Sequence, residues 1–250
     1  MITLIGTGHV FKLSYQLLNI FDTINPDALC VELDNQRYQS LMMKQYDPEQ
    51  YEQAAKKLPY IYRKLADFQE ELAKRYGVQP GDEMLTTITY AHSHQIPLVC
   101  IDVHAQNMFK KMIKEMSLSE KTKFFLSGIG SIFVPKKNID KEVKNITNNV
   151  ESYLTIIGKK FPTIKKVLID DRNTYMAKNL IKLHETYENI IAVLGDGHIQ
   201  GIASLLQQQN IAPKIIRLKE LQDYTPPQTD QATASFHVDY QSPDEENKQP

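Results

Sequence analysis

The sequence predicts an α/β fold in which helices flank a central sheet that is mostly parallel or mixed. Two observations favour this class. Short, nearly continuous apolar runs rich in Ile, Val and Leu recur along the chain, and such runs are typical of strands buried on both faces of a sheet. Segments with helical periodicity separate the runs, and this β-α-β order favours parallel strands joined by crossover helices.

Five apolar runs, each bounded by Gly, Pro, Asn or Asp, are the predicted strands: Ile2–Ile5, Ala28–Leu33, Leu98–Val103, Ile190–Leu194 and the weaker Pro213–Leu218. Helices are predicted between them, at Phe11–Phe21, Glu83–Ser93, Asn173–Tyr187 and His198–Gln209. Asp82 is the predicted N-cap of the second helix, because it follows Pro80 and Gly81 and its carboxylate can accept hydrogen bonds from first-turn N–H groups.

The chain is predicted to form one domain over residues 1–223, with helical insertions at about 34–76 and 105–162. These insertions could form a helical cap over one end of the sheet, or a surface for homo-oligomerisation. Residues 224–250 are rich in Pro, Gln, Asp, Ser and Glu and poor in aliphatic side chains. We expect this tail to be disordered, because it cannot offset its ordering entropy by burial.

Composition indicates a soluble cytoplasmic protein. Hydrophobic residues make up 42% and charged residues 24% of the chain, and the net charge is −1, which favours neither nucleic acid nor an anionic membrane as the main partner. No apolar stretch reaches the ~18 residues of a membrane-spanning helix, and no targeting leader is recognisable. Cys30 and Cys100 lie inside apolar runs, which predicts buried free thiols and a reducing compartment.

Two Gly-x-x-His turns are the main candidates for chemistry. Gly6-Thr7-Gly8-His9 follows the first predicted strand, and Gly195-Asp196-Gly197-His198 follows the fourth. Ligands of open α/β sheets bind just outside the carboxyl ends of the strands, so His9 and His198 are predicted to share one cleft. A structural role at the helix N-terminus is the alternative for each.

Charged residues at strand ends and helix starts complete the candidate site. Glu32 ends the second strand, where a carboxylate is costly to bury unless it binds a metal or pairs with a cation such as Arg37. Glu83 could be a ligand or base, or could only complement the helix dipole. Arg172 could bind a carboxylate or stabilise an oxyanion, whereas Asp171 beside it is predicted to be an N-cap.

The opening glycines also permit a different hypothesis. Gly6-x-Gly8, with Glu32 about two dozen residues later, imitates a dinucleotide-binding fingerprint. Phe11 stands at the position of the third glycine, however, and its bulk would obstruct close packing of helix and strand. A nicotinamide-dependent enzyme is therefore disfavoured.

In their order, these motifs resemble the TraB/PrgY family, which is related to the Tiki proteins. The resemblance spans roughly residues 1 to 218 and is carried by Gly6–His9, Glu32–Arg37, Gly81–Glu83, Asp171–Asn173 with Met176-Ala177, and Gly195–Gly201. This sequence departs from the family pattern at three places. Asp171 stands where Glu is commoner, Asp102-Val103 where many relatives have Asp-Arg, and Asp196 where a small residue is usual.

The resemblance implies a mixed α/β fold whose motif residues converge on one cleft. Tiki members are metal-dependent proteases that usually take manganese or cobalt, and bacterial PrgY-type members are linked to the handling of peptide pheromones. Many PrgY-like proteins also carry membrane-spanning segments, which this sequence does not show. Carried over to this chain, the resemblance implies a metal site and its supporting groups: His9 and His198 as ligands, Glu32 and Glu83 as ligand or general base, and Arg37, Arg172 and Asn173 as orienting or substrate-binding residues.

The predicted function is that of a metal-dependent hydrolase, most simply a peptidase, acting on a peptide or small-molecule substrate. The divalent ion would be Mn²⁺ or Co²⁺, with Zn²⁺ as a further candidate, because ligation by nitrogen and oxygen alone does not choose among them. The alternative is a protein that binds or sequesters a peptide with the same cleft but does not cleave it.

Overall fold

The computed structural model describes residues 1–8, 11–56, 81–127 and 150–224. In chain order its elements are β1 (Ile2–Thr7), α1 (Ser14–Ile24), β2 (Ala28–Val31), α2 (Asn35–Tyr46), α3 (Pro48–Lys56), α4 (Asp82–Ser93), β3 (Leu98–Cys100), α5 (Ala105–Glu115), α6 (Leu118–Ser127), α7 (Val150–Lys160), α8 (Pro162–Lys165), a π-helical turn (Lys166–Asp170), α9 (Asp171–His184), β4 (Ile190–Gly195), α10 (Asp196–Gln207), β5 (Lys214–Ile216) and α11 (Leu218–Gln222). His9, the later part of the first predicted insertion and the predicted tail from 225 onward lie outside the described residues.

The described strands form one five-stranded sheet in the order β3-β2-β4-β1-β5, and every neighbouring pair is parallel. The predicted α/β class is therefore confirmed, in its parallel form. β4 lies between β1 and β2, pairing Thr7 with Gly195 on one side and Val31 with Val193 on the other. This insertion brings the carboxyl ends of β1, β4 and β2 side by side, which is where open α/β sheets bind ligands.

Apolar side chains alternate between the two faces of the sheet, as expected for extended strands. On one face, Val31 and Val193 pack with Phe21 of α1 and Ile88 of α4. On the other face, Cys30 and its strand neighbours pack with helices α9 and α10, in a cluster that includes Met176, Leu180, Ile199 and Ile202. The sheet is thus covered by helices on both faces.

The expectation of strands buried on both faces is right for β1, β2 and β4 and wrong for β3 and β5. β3 and β5 are the outer strands of the described sheet, so their residues remain partly exposed. Cys100 on β3 is accordingly only half-buried, whereas Cys30 on β2 is buried. Both thiols are free, as predicted, and the pairing of Val31 with Cys100 places the two cysteines on opposite faces.

Two predicted helix caps are wrong. Gly81 occupies the N-cap position of α4 with φ of 83°, a left-handed conformation that suits glycine, and Asp82 is the first helical residue. The Asp82 carboxylate instead accepts a hydrogen bond from Ser14 Oγ at 3.1 Å. Asp171 does not start a helix from a loop, because the π-helical turn Lys166–Asp170 leads directly into α9.

The second insertion is mostly helical in its described residues, and it packs with the residues that follow it in an apolar cluster separate from the sheet. Met112 of α5 packs there with Phe161, with Ile164 of α8 and with Val167 of the π-helical turn. Whether the insertions act as a cap or as an oligomerisation surface stays a prediction. None of the helices in the described ranges has the length and apolarity needed to cross a membrane.

Candidate functional site

Acidic residues follow two neighbouring strands at the carboxyl edge of the sheet. Glu32 comes directly after β2, and its backbone N–H donates to Val193 O at 3.3 Å. Asp102 follows β3, and its N–H donates to Leu33 O at 3.1 Å. Both are buried, with exposures of 8% and 6%. We call these two residues, the side chains that contact them and the Asn173 partner of His198 the edge cluster: Glu32, Arg37, Asp102, Arg172, Asn173 and His198.

Glu32 is held on both of its carboxylate oxygens. Oε1 accepts a hydrogen bond from Arg172 Nη2, and Oε2 accepts one from the backbone N–H of Gly195 at 2.6 Å. Burial alone would raise the pKa of Glu32, but His198, Arg172, Arg37 and the Gly195 N–H outweigh it and hold the pKa well below its usual range. Glu32 is therefore ionised at neutral pH although it is buried.

His198 faces this carboxylate from the first turn of α10. Its Nε2 lies 3.5 Å from Glu32 Oε1, and its Nδ1 lies 2.6 Å from Asn173 Oδ1. An amide oxygen only accepts, so we assign the proton of the neutral ring to Nδ1, which leaves the Nε2 lone pair facing Glu32. Burial lowers the pKa of His198, and the neighbouring Glu32 only partly offsets this, so the neutral ring is favoured.

Asn173 reaches His198 because α10 carries a glycine at the contact. A Cβ at Gly201 would lie 2.1 Å from Asn173 Nδ2, which is far inside van der Waals contact. Gly201, the last residue of the Gly195–Gly201 motif, therefore leaves room for the amide that orients the histidine.

Arg172 and Arg37 converge on Asp102. Arg172 donates through Nε to Oδ1 at 3.0 Å and through Nη2 to Oδ2 at 2.8 Å. Arg37 Nη1 donates to the same Oδ2 at 3.0 Å and to Glu32 O at 3.2 Å. Burial would lower the pKa of Arg172, but the two carboxylates raise it, so the guanidinium stays charged. Within the edge cluster, the partly exposed Arg37 and the mostly buried Arg172 thus alternate with two buried carboxylates.

Asp102 was not among the predicted site residues. The sequence offered two indications of its role: it lies near the end of an apolar run, as Glu32 does, and many relatives have Asp-Arg at Asp102-Val103. The network brings the predicted Glu32, Arg37, Arg172, Asn173 and His198 together and adds Asp102 to them.

Asp171 and Asp196 lie near the edge cluster in sequence but have partners outside it. Asp171 pairs with Lys111 at 2.7 Å on the surface. Asp196 is buried and accepts Nε and Nη2 of Arg217 at 2.9 and 2.7 Å. A Cβ at Gly6 would lie 2.1 Å from Asp196 Oδ1, so the first glycine of the opening motif leaves room for this carboxylate.

Two predicted metal ligands, Glu32 and His198, are in contact. Glu83 is buried in the first turn of α4, on the face of the sheet opposite to α9 and α10. His9 lies outside the described residues. Across the described ranges, no group of three or more His, Cys, Asp or Glu side chains could hold a metal ion. The four-ligand metal site therefore stays a prediction.

The fold and the edge cluster define an open α/β protein with a histidine, carboxylates and arginines at the carboxyl edge of a parallel sheet. The model of the TraB/PrgY/gumN family matches residues 1–213, and the chain belongs to this family. This confirms the family that the motifs predicted, whereas the link to Tiki proteases stays a prediction.

The chain is also similar to the uncharacterized protein MJ1365 of Methanocaldococcus jannaschii. The two are 30% identical over 212 residues, which cover 83% of this chain and 53% of the relative. The chain thus spans about half the length of that curated relative.

Proposed function

We propose that the chain is a metal-dependent hydrolase of peptide bonds, with Glu32 and His198 among the ligands of a divalent ion. The observation that carries this proposal is the 3.5 Å approach of His198 Nε2 to Glu32 Oε1. At this contact two electron pairs face each other. One belongs to Nε2 of the neutral imidazole, whose proton is on Nδ1, and the other belongs to the ionised carboxylate. Two such acceptors are stabilised when a cation lies beside both of them.

The chemistry of these side chains fits a divalent ion. Imidazole nitrogen and carboxylate oxygen are accepted ligands of Mn²⁺, Co²⁺ and Zn²⁺. Asn173 holds His198 through Nδ1, as orienting residues around metal-binding histidines do. Arg172 also donates to Glu32 Oε1. A carboxylate oxygen has two lone pairs, so this hydrogen bond leaves one for a cation.

His9 is the proposed additional ligand, on the strength of the family motifs. When bound, the ion would supply Lewis acidity toward a peptide carbonyl and would lower the pKa of a water molecule. Glu83 is the proposed general base, because it is a buried carboxylate in the first turn of α4, within the family motif Gly81–Glu83. Arg172 would keep Glu32 ionised and oriented, and Arg37, whose side chain is 40% exposed, is open to substrate.

A second candidate function is peptide binding without cleavage. One observation favours it: both oxygens of Glu32 already accept hydrogen bonds, from Arg172 and from the Gly195 N–H. The carboxylate is therefore stabilised by the chain's own groups. The edge cluster would then bind a polar peptide without turnover.

Mass spectrometry of a mixed peptide library tests the proposal. The library is incubated with the wild type and Mn²⁺, Co²⁺ or Zn²⁺, and with His198→Gln, Glu83→Gln and the control Glu120→Gln. We expect metal-dependent cleavage by the wild type and the control, and a loss of about 10²-fold or more in the other two. Saturable peptide binding with every peptide intact would overturn the hydrolase in favour of the binder.

A further inference from the structure

Both carboxylate oxygens of Asp102 accept hydrogen bonds, although the side chain is only 2% exposed. Oδ1 accepts from Arg172 Nε at 3.0 Å and from Val103 N–H at 2.8 Å. Oδ2 accepts from Arg172 Nη2 at 2.8 Å and from Arg37 Nη1 at 3.0 Å. Hydrogen bonds between ionised groups are about twice as strong as neutral ones, so this carboxylate is a strong anchor.

Asp102 is itself fixed to the sheet. Its N–H donates to Leu33 O at 3.1 Å, and the preceding residue, Ile101, donates to Val31 O at 3.1 Å. The Ile101 carbonyl accepts from Asn179 Nδ2 at 3.0 Å, which ties α9 to the same strand end. The carboxylate position therefore follows from the strand ladder rather than from a mobile loop.

Arg172, by contrast, has a long side chain that depends on its partners for its orientation. Asp102 binds it at Nε and Nη2, and Leu168 O of the π-helical turn accepts from Nη1 at 3.2 Å. The same Nη2 donates to Glu32 Oε1. The place where Arg172 meets Glu32 is thus determined by its two-point contact with Asp102.

We propose that Asp102 is a positioning residue: it fixes the Arg172 guanidinium so that Nη2 holds Glu32 Oε1 from one side and leaves the side facing His198 open to a cation. The rival role is stabilisation of the fold alone. The effect on the cation rests on the proposed function, but the effect on Arg172 does not.

Asp102→Asn separates these roles, because it keeps the side-chain size and removes the charge. Its amide NH₂ group cannot accept the second arginine hydrogen bond, so Arg172 loses its two-point contact and turns its unshared charge toward Glu32. A cation then meets a stronger positive potential and a displaced ligand. We expect the affinity for Mn²⁺ to fall about 10- to 100-fold, as for other residues that orient metal ligands.

The first measurement is the Nε–H resonance of Arg172 by NMR in metal-free protein, assigned with Arg172→Lys. We expect the Arg172 Nε–H proton to exchange slowly with water in the wild type and fast in Asp102→Asn. Exchange should stay slow in the control Glu120→Gln, which removes an equally buried carboxylate of the second insertion. Unchanged exchange in Asp102→Asn would overturn the positioning role.

Titration with Mn²⁺ alone, followed by calorimetry, is the second measurement. Loss of affinity in Asp102→Asn but not in Glu120→Gln supports the proposal, and equal affinity overturns its cation part. If the wild type binds no Mn²⁺ while Arg172 exchange still changes, the proposed function fails and the positioning of Arg172 stands.

Should Asp102→Asn fail to fold, Arg172→Lys addresses the same contact from the other side. Lysine keeps the charge but cannot make the two-point contact, so a roughly 10-fold loss of Mn²⁺ affinity is expected. Full affinity in a folded Arg172→Lys protein would contradict the proposal.

Discussion

Glu32 and Glu120 are both buried carboxylates, with exposures of 8% and 6%, and they lie in different parts of the molecule. Burial would raise the pKa of each, yet in each case the surroundings outweigh burial and lower the pKa below its ordinary value. Glu32 belongs to the edge of the sheet, and Glu120 belongs to the helical insertion. What differs is the kind of group that lowers the pKa.

Neutral donors at two helix starts hold Glu120. Ser117, which precedes α6, donates through N–H at 3.1 Å and through Oγ at 3.2 Å. Thr163, near the start of α8, donates through N–H at 2.9 Å and through Oγ1 at 2.8 Å. Glu120 therefore joins α6 to α8, and its hydrogen bonds satisfy groups that helix starts leave unpaired.

A charged guanidinium and a backbone N–H, both from distant parts of the chain, bind Glu32. Arg172 is separated from it by 140 residues in sequence, and the Gly195 N–H by 163. A neutral histidine faces the same carboxylate. The comparison teaches that burial with a lowered pKa does not by itself mark a functional site, whereas convergence of cations and a histidine lone pair is a stronger indication.

The largest expected difference concerns stability. Asp102→Ala leaves Arg172 buried without its main partner, so we expect it to lower the free energy of unfolding by roughly 3–5 kcal/mol. Glu120→Ala removes hydrogen bonds from neutral donors and should cost about 1–3 kcal/mol. Urea unfolding at pH 7 measures both. Equal costs would mean that the edge cluster is no more strongly coupled than the helix contact.

Alanine substitutions at two glycines should differ by a smaller amount in their effect on stability. Gly201→Ala would push against Asn173 Nδ2, since the new Cβ lies 2.1 Å from it, and should destabilise by about 1–3 kcal/mol. Gly158→Ala places a Cβ 2.6 Å from Lys165 Cδ, on a flexible side chain that can move. Because alanine is the better helix former, Gly158→Ala should leave stability unchanged or raise it by up to about 1 kcal/mol. Thermal unfolding of both variants checks this, and equal destabilisation would contradict it.

The smallest effect is the pH dependence at Glu120. Its pKa is lowered in the folded state from an ordinary 4.5, so its contribution is complete above about pH 4.5 and is lost as the pH falls below that value. In urea unfolding at pH 7, the free energy of unfolding of Glu120→Gln should therefore be about 1 kcal/mol below that of the wild type. At pH 3.5 this difference in free energy should be smaller. A gap that stays constant across this range would show that the charge of Glu120 adds nothing.

The strands could be predicted because continuous apolar runs bounded by Gly, Pro, Asn or Asp leave few alternatives. The order of the strands could not, since the insertion of β4 between β1 and β2 depends on packing across the whole chain. Helix starts were less predictable than helices. Gly81 takes the cap position beside Asp82 because its φ of 83° suits glycine, and the π-helical turn before Asp171 has no sequence marker.

For the candidate site, the position of a residue relative to the predicted strands indicated which residues belong to it. The sequence did not indicate which of these side chains contact each other. Glu32 was predicted because it lies near the end of an apolar run, and His198 because its Gly-x-x-His turn follows one. Asp102 also lies near the end of an apolar run, yet its importance lies in contacts with Arg37 and Arg172, 65 and 70 residues away in sequence. Residues so far apart in sequence come into contact only through the tertiary fold. The structural role of Glu120 was not predicted for a related reason, because its partner Thr163 lies 43 residues away in sequence.

Metal content shows whether a cation binds at Glu32 and His198. Wild type, Glu32→Gln and Glu120→Gln are each incubated with excess Mn²⁺ or Co²⁺, desalted, and subjected to elemental analysis. The account predicts about one ion per chain in the wild type and in Glu120→Gln, and none in a folded Glu32→Gln. An ion retained in full by Glu32→Gln, or lost equally from both variants, would contradict the assignment of the cation to the Glu32–His198 pair.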